Sequence, residues 1–393
     1  NCKAMELMTM IDVNKIKDVE QKKALNSWAS KGFKGSVIAG TGFGKSRVGV
    51  LAIEHALKTG DKALVLVPTV QLQDQFREEF HKWDVANCLD NVEILCYQSA
   101  YKLKNEHYDI VVCDEVHLGL SKEYRKFFAN NTYDKLLCMT ATPPEEYEYR
   151  EKLQELAPTA YTITLDECVD LGLVSPYSIE CVPISLTTKE RENYKKVNNN
   201  FVYWKYRLGQ FNAFDEAMRI MGDKNAHPED KQAASQFYRT IRERKAIVDF
   251  AENKITTFQV LVANNSDKRI LAFSGANDFT DKLVDSVEPL AMAYHSKKSK
   301  KYKDTALASF RDGSINILCS TKALNQGFDV PNANMGIICG ITSKSLSMIQ
   351  RVGRLIRFQE GKTGKIIILY VENSQEEKWL KQATKNLSNV IWK

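Results

Sequence analysis

The sequence predicts an α/β protein built from two tandem parallel-sheet domains, each sheet flanked by helices. Three observations carry that expectation: short continuous apolar runs recur in both halves, segments of helical period lie between them, and a glycine-rich turn follows the first run. A strand covered on both faces needs apolar residues at nearly every position, so continuous rather than alternating runs mark a parallel sheet. In the first half the runs are residues 36–39, 63–67, 92–97, 110–113 and 136–139. In the last third they are 270–273, 290–294, 315–319, 335–339 and 366–371. Segments such as 46–58 and 71–83 have the periodicity of crossover helices, which parallel strands require. Two sheets of about five strands each follow from these runs. At roughly 150 residues per domain, 393 residues fit two or three domains.

Residues 186 to about 264 are of another kind. They are polar, charged and poor in glycine and proline, with aromatics at Tyr194, Phe201, Tyr203, Trp204, Tyr206, Phe211 and Phe214. This composition reads as several helices with a loop near 222–228, not as a linker. Arg242, Arg244 and Lys245 fall on a helical pattern that is open to two readings, a solvated face or a nucleic-acid contact. The expected division is therefore 1–165 for the first domain, 166–265 for a connection plus helical insertion, and 266–393 for the second domain.

Composition narrows the class. Charged residues make up 26% and hydrophobic ones 44%, as in ordinary globular chains. Lysine plus arginine total 55 against 49 acidic residues, a net charge of +6 that suits a polyanionic partner without requiring one. No apolar run approaches the roughly 18 residues of a membrane span, and the first thirty residues hold no signal-peptide core. A cytoplasmic protein is expected, in a host cytoplasm if the chain is phage-encoded, with the nucleus open. Nine cysteines without a C-x-x-C pair read as buried reduced thiols, not as disulfides or a zinc site. The chain opens at Asn1 instead of a methionine, which leaves room for residues upstream.

The chemistry begins at Ala39-Gly40-Thr41-Gly42-Phe43-Gly44-Lys45-Ser46, between the first strand and a helix. Gly40, Gly42 and Gly44 let backbone N–H groups curl around a phosphate, with Thr41 inside the same turn. The helix N-terminus adds partial positive charge, Lys45 reaches the terminal phosphates, and the Ser46 hydroxyl can hold Mg²⁺. Asp114-Glu115-Val116-His117 ends the run 110–113. Carboxylates at the C-terminal end of a parallel strand lie where α/β sheets bind ligands. Asp114 would hold Mg²⁺, and Glu115 would orient and deprotonate a water attacking the γ-phosphate. Far downstream, Gln350-Arg351-Val352-Gly353-Arg354-Leu355-Ile356-Arg357 puts Arg354 and Arg357 one helical turn apart, a spacing suited to neutralising a transferring phosphoryl group.

The order of these motifs resembles a superfamily 2 helicase of the DExH type, with two RecA-like motor domains, over about residues 17–371. Gln21 resembles the adenine-reading glutamine ahead of the phosphate loop, although Asp18-Val19-Glu20 stand where many relatives place arginine, proline and an aromatic. Residues 67–72, which include Thr69, resemble motif Ia, and 96–100, which include Gln98 and Ser99, resemble the next nucleic-acid-facing motif. Met139-Thr140-Ala141-Thr142-Pro143 matches motif III, Ala272-Phe273-Ser274 resembles motif IV, and 320–331 match motif V. The resemblance implies ATP as the nucleotide with Mg²⁺. It gives Gly327 and Asp329 a part in coupling nucleotide to domain motion, Gln350 a link to His117, and Thr140 and Thr142 a coupling role. Thr69, Gln98, Ser99, Ser274 and Thr321, at strand ends, suit phosphate and sugar hydrogen bonds. Five lysines in 295–303 suit the same backbone.

Residues 350–357, which match motif VI, and the stretch 186–194 are most similar to the XPB-type repair helicases and to phage helicases of the UvsW type, which remodel branched DNA. The implied function is ATP-dependent unwinding or remodelling of DNA in recombination, repair or replication, with single-stranded, forked or branched DNA favoured over RNA as partner. A duplex translocase motor of a restriction or repair assembly and an RNA helicase stay open as alternatives. A non-motor P-loop regulator, or a catalytically dead binding module, is disfavoured by Lys45, Glu115, Arg354 and Arg357. No membrane partner is expected, and the sequence names no protein partner.

Overall fold

In the computed structural model the described residues are 2–40, 42–57, 61–141, 143–144, 146–173, 176–321, 333–342, 364–385, 387 and 389–393, with side chains described from residue 14 onward. The chain divides into two compact units, one built on Asn1–Pro176 and the other beginning at Tyr177.

The first unit holds a six-stranded sheet of β1 (Lys34–Ala39), β2 (Ala63–Val67), β3 (Val92–Cys96), β4 (His107–Cys113), β5 (Thr132–Thr140) and β6 (Thr159–Ile163). Their order is β3-β2-β4-β5-β1-β6 and every pairing is parallel. Successive side chains point to opposite faces, and both faces are covered. Val37, Val65, Val112 and Leu137 pack with Phe76 and Phe80 in one cluster. Leu64, Leu66, Val111 and Leu136 pack with Tyr97 and Phe127 in the other. Two-sided burial is why these strands read as unbroken apolar runs. The helix Cys2–Ser30 is fixed to the sheet by Trp28, which is 2% exposed and donates its indole N–H to the Leu136 carbonyl at 2.8 Å.

The second unit holds a seven-stranded sheet of β7 (Tyr177–Ile184), β8 (Ile270–Phe273), β9 (Ala291–Tyr294), β10 (Ile317–Ser320), β11 (Met335–Ile338), β12 (Gly364–Val371) and β13 (Val390–Trp392). Their order is β13-β7-β12-β11-β8-β10-β9, again with parallel pairings throughout. Between β7 and β8 run the helices Thr188–Arg207, Ala213–Gly222, Pro228–Asp249 and Glu252–Ala263. The first of these starts on a capping box between Thr187 and Glu190, and the third on Pro228 in its first turn. Three of them share a small core of Leu208, Ala213, Ala217, Ile220, Ala233, Ala234 and Phe237. Among the described residues no helix is long and apolar enough to cross a membrane.

The eight described cysteines are free, and seven are buried. Burial pushes the Cys168 thiol up to about 11 and those of Cys181 and Cys339 up to about 12.

One ion pair in the second unit is sealed from solvent. Lys254 Nζ lies 2.9 Å from both Glu376 carboxylate oxygens. The same carboxylate accepts the backbone N–H groups of Ile341 at 3.2 Å and Val371 at 2.9 Å. Burial pushes the Glu376 carboxyl up, and Lys254 opposes that shift. A buried charge stripped of its partner is costly. Lys254→Met is therefore expected to lower the unfolding free energy by about 3–5 kcal/mol, measured by urea denaturation. An unchanged midpoint would show that the pair contributes nothing to stability.

Candidate nucleotide and nucleic-acid site

Parallel pairing brings the loops of the first sheet to one edge. Ile38 of β1 is level with Thr140 of β5, and Cys113 of β4 is level with Cys138 of β5. The residues that follow, 40–46 after β1 and 114–117 after β4, therefore flank the end of β5.

The glycine-rich loop adopts a conformation that ordinary side chains resist. Gly42 and Gly44 both have φ of 88°, in the left-handed region. Gly44 caps the helix Lys45–Ala56 and faces the buried Gln21 amide so closely that an added Cβ would sit 2.4 Å from Gln21 Nε2. Gln21 donates to the Phe43 carbonyl at 2.7 Å and the Gly44 carbonyl at 3.3 Å. Its own oxygen accepts from Arg47 Nη1 at 2.6 Å. Arg47 also donates to Asp18 at 2.7 Å, and its guanidinium lies 4.1 Å over the Trp83 ring. Lys22 and Arg47 hold the Asp18 carboxyl below the usual carboxylate range. Lys45 is 6% exposed and donates to the Ala39 carbonyl at 3.0 Å. Beside this loop lies a cavity of about 910 Å³ lined by Gln21, Gly44, Ser46, Arg47 and Trp83, within the size range of small-molecule sites.

Asp114 and Glu115 are both buried. The Asp114 N–H donates to the Leu66 carbonyl at 2.8 Å, and the Tyr97 hydroxyl donates to the Asp114 carbonyl at 2.9 Å. Burial raises the Tyr97 phenol well above its ordinary value, so it stays a donor at working pH. Glu115 has φ of 46°, an unfavourable conformation for a residue with a long side chain and one that concentrates at functional sites. His117 Nδ1 lies 3.1 Å from Thr140 Oγ1 and 3.5 Å from Glu115 Oε2, tying the acidic turn to the end of β5. Ser46 and Asp114 offer hard oxygen donors at the same sheet edge, a donor set that fits Mg²⁺.

Thr69 is exposed after β2 and caps the helix Val70–Lys82, accepting from the Leu72 N–H at 3.4 Å. Gln98 and Ser99 are exposed in the short helix Tyr97–Ala100 after β3. In the second unit Ser274 is 1% exposed. Its hydroxyl is used inside the fold, with the Ala276 carbonyl at 2.9 Å and Thr280 Oγ1 at 2.6 Å. Thr321 continues that chain to Thr280 at 3.1 Å and donates to Asn277 at 2.6 Å. Of the lysine run, Lys297 pairs with Asp278 and Lys298 with Asp281, while Lys300 and Lys301 are exposed. The first unit thus gathers Gln21, Gly40, Gly42, Gly44, Lys45, Ser46, Asp114, Glu115, His117 and Thr140 at one edge. Thr41, Thr142, Gly327, Asp329, Gln350, Arg354 and Arg357 lie outside the described residues.

Sequence reasoning missed Arg47, Trp83 and Tyr97. Trp83 ends a helix remote in sequence from Gln21, and no local pattern links the two. Tyr97 ends the apolar run 92–97 and reads as core, so its hydroxyl contact with Asp114 is visible only in three dimensions.

Two family models match the chain: the type III restriction enzyme res subunit over residues 17–96 and 85–145, and the helicase conserved C-terminal domain over 253–359. A DNA 3'-5' translocase XPB2 from Sulfurisphaera tokodaii is 23% identical over 86% of this chain and 77% of its own length. The fold is similar to that of the Pyrococcus furiosus Hef helicase domain, with a TM-score of 0.59, 16% identity, and 93% and 97% of the two chains covered. It is also similar to Saccharomyces cerevisiae Dbp5 bound to RNA and ADP BeF3, with a TM-score of 0.57, 15% identity, and 95% and 88% covered.

Gly44→Ala is expected to weaken nucleotide binding at least tenfold by titration calorimetry. The left-handed backbone costs a Cβ about 1–2 kcal/mol, and the new methyl displaces Gln21. Wild-type affinity in this variant would contradict the loop geometry.

Proposed function

We propose that this chain, a superfamily 2 helicase and so a nucleic-acid-dependent ATPase, uses ATP to unwind or remodel DNA, with forked or branched DNA as its preferred substrate. The observation that carries the ATPase half is the meeting of the glycine loop and the Asp114-Glu115 turn at one sheet edge, on either side of Thr140. DNA is favoured by the resemblance of motif VI to XPB-type and branch-migrating helicases. The name of the Sulfurisphaera tokodaii relative, a DNA translocase, points the same way. RNA is the second reading, since the Dbp5 structure holds RNA.

In this reading the backbone N–H groups of residues 42–46 and the Lys45 ammonium bind the β- and γ-phosphates. Gln21, set against the loop by Arg47, reads the base in the cavity beside Trp83. Ser46 and Asp114 hold Mg²⁺, which when bound neutralises charge on the phosphate oxygens. Glu115 orients the attacking water and takes its proton, with its carboxylate near His117. Arg354 and Arg357 supply positive charge to the transferring phosphoryl group, an effect typically worth about 10³–10⁵ in rate. Gly327, Asp329, Gln350 and Thr142 couple that step to the second unit, and Thr69, Gln98, Ser99 and Thr321 hold the sugar-phosphate backbone without reading sequence. Recombination or repair of branched DNA is the biological setting that such a motor fits.

The test is steady-state ATP hydrolysis without nucleic acid and with single-stranded DNA, duplex, forked DNA, a four-way junction or RNA. Forked and four-way DNA are expected to stimulate most. Glu115→Gln is expected to keep ATP affinity within a few-fold while turnover falls by 10²-fold or more. Stimulation by RNA alone would replace DNA as the substrate, equal stimulation by plain duplex would favour a translocase motor, and normal turnover by Glu115→Gln would remove its assignment to the attacking water.

A further inference from the structure

The helical insertion of the second unit carries a groove that the motor motifs do not use. It has a volume of about 570 Å³ and lies between the helices Thr188–Arg207 and Pro228–Asp249 and the N-terminal half of the helix Gln375–Thr384. Three aromatic side chains line it where a ligand can reach them: Tyr206 is 74% exposed, Phe214 55%, and Trp379 half-buried. Deeper, the Arg244 guanidinium lies 4.1 Å over the Phe201 ring and donates to the Tyr194 hydroxyl at 3.4 Å, while its Nε is buried with no hydrogen-bond partner.

The charge of the groove is one-sided. Lys205, Arg244, Lys245 and Lys378 line it against only Asp249 and Glu376. Asp249 is bound by Lys245, and Glu376 by Lys254 from behind. An excess of cations therefore faces the space. Of seventeen large hydrophobic side chains exposed among the described residues, seven fall between 202 and 221, and three of these, Val202, Tyr206 and Phe214, line the groove. Such a concentration marks a binding surface. A protein-docking patch would be depleted in lysine at its centre, and this one sets lysines among flat aromatic faces. That pairing is what a single strand requires, because every base offers a π-face and every linkage a negative charge. The space admits a nucleotide-sized group, so it suits an unpaired base and not one stacked within a duplex.

We propose that this groove is a binding site for single-stranded nucleic acid, in which an unpaired base stacks on Tyr206, Phe214 and Trp379 while Lys205 and Lys378 hold the adjoining phosphates. The inference rests on the motor reading above and names the form of substrate that the insertion takes: the strand freed by unwinding.

The test uses the full chain and a fluorescein-labelled oligo(dT), the same oligonucleotide with abasic residues, and a blunt duplex, each titrated at one fixed salt concentration. Tyr206→Ala/Phe214→Ala removes two exposed rings, and its thermal melt against wild type checks the fold. The double variant is expected to bind oligo(dT) about tenfold more weakly, as loss of base stacking predicts, with duplex affinity unchanged within twofold. Wild type should bind the abasic oligonucleotide as weakly as the variant binds the intact one, and the variant should lose little more on the abasic strand. Lys205→Glu should weaken intact and abasic strands alike. Equal oligo(dT) affinity in wild type and double variant would overturn the proposal, and a patch that docks a protein would give that result. An equal loss on oligo(dT) and duplex would also overturn it, because the groove would not then select unpaired bases. Hydrolysis assays on the same preparations separate the two claims. If wild type responds to no nucleic acid, the motor reading fails. If wild type responds and the variant binds oligo(dT) equally well, only the groove assignment fails.

Discussion

The parallel register of β1, β5 and β4 is the constraint on which the first unit depends. A parallel strand ends where its neighbours end, so every connecting loop emerges on the same side. With Ile38 level with Thr140 and Cys113 level with Cys138, the glycine loop and the acidic turn are placed on either side of one strand end. A shift of one residue would exchange the side chains fitted to the clusters around Phe80 and Phe127 and move the two loops out of line with the end of β5. The apolar core and the reactive edge are therefore two results of one pairing scheme.

Within that frame, two local interactions shape the site at the expense of backbone comfort. The Gln21 amide bridges the carbonyls of Phe43 and Gly44, and Arg47 fixes that amide from the other side. The turn that results leaves no room for a side chain at Gly44. Tyr97, buried beneath the acidic turn, holds the Asp114 carbonyl. Glu115 then follows at positive φ, a strain that the surrounding bonds must offset. Both arrangements pre-position groups before any ligand arrives, which lowers the ordering cost at the moment of binding.

What the sequence made legible follows from these physics. Strands buried on both faces, such as β2 with five fully buried residues, announce themselves as apolar runs. The strand β7 does not, because its side chains alternate between buried and partly exposed. It nonetheless pairs with β12 over eight residues, so the second sheet starts before the helical insertion. The partly exposed β6 and the three-residue β13 fall below what any run can signal. The glycine loop and the Asp114-Glu115 pair were legible because their chemistry demands particular residues at fixed spacing. Ser274 shows the opposite case. Its position at a strand end fitted a phosphate contact, yet the hydroxyl is turned inward to Ala276 and Thr280, which sequence position alone does not reveal. Trp83 reaches the cavity beside Gln21 only through the packing of its helix.

The contact between His117 and Thr140 joins the acidic turn to the strand end beside it, and in the proposed motor it is the link expected to couple hydrolysis to strand movement. The most direct measurement of the account follows ATP hydrolysis and strand displacement together, on one forked duplex, for wild type and Thr140→Val. The substitution keeps the shape of the side chain and removes the hydroxyl. The account predicts hydrolysis within a few-fold of wild type and displacement reduced more than tenfold, so that far more ATP is consumed per strand released. Displacement and hydrolysis that stay in the wild-type ratio would contradict it.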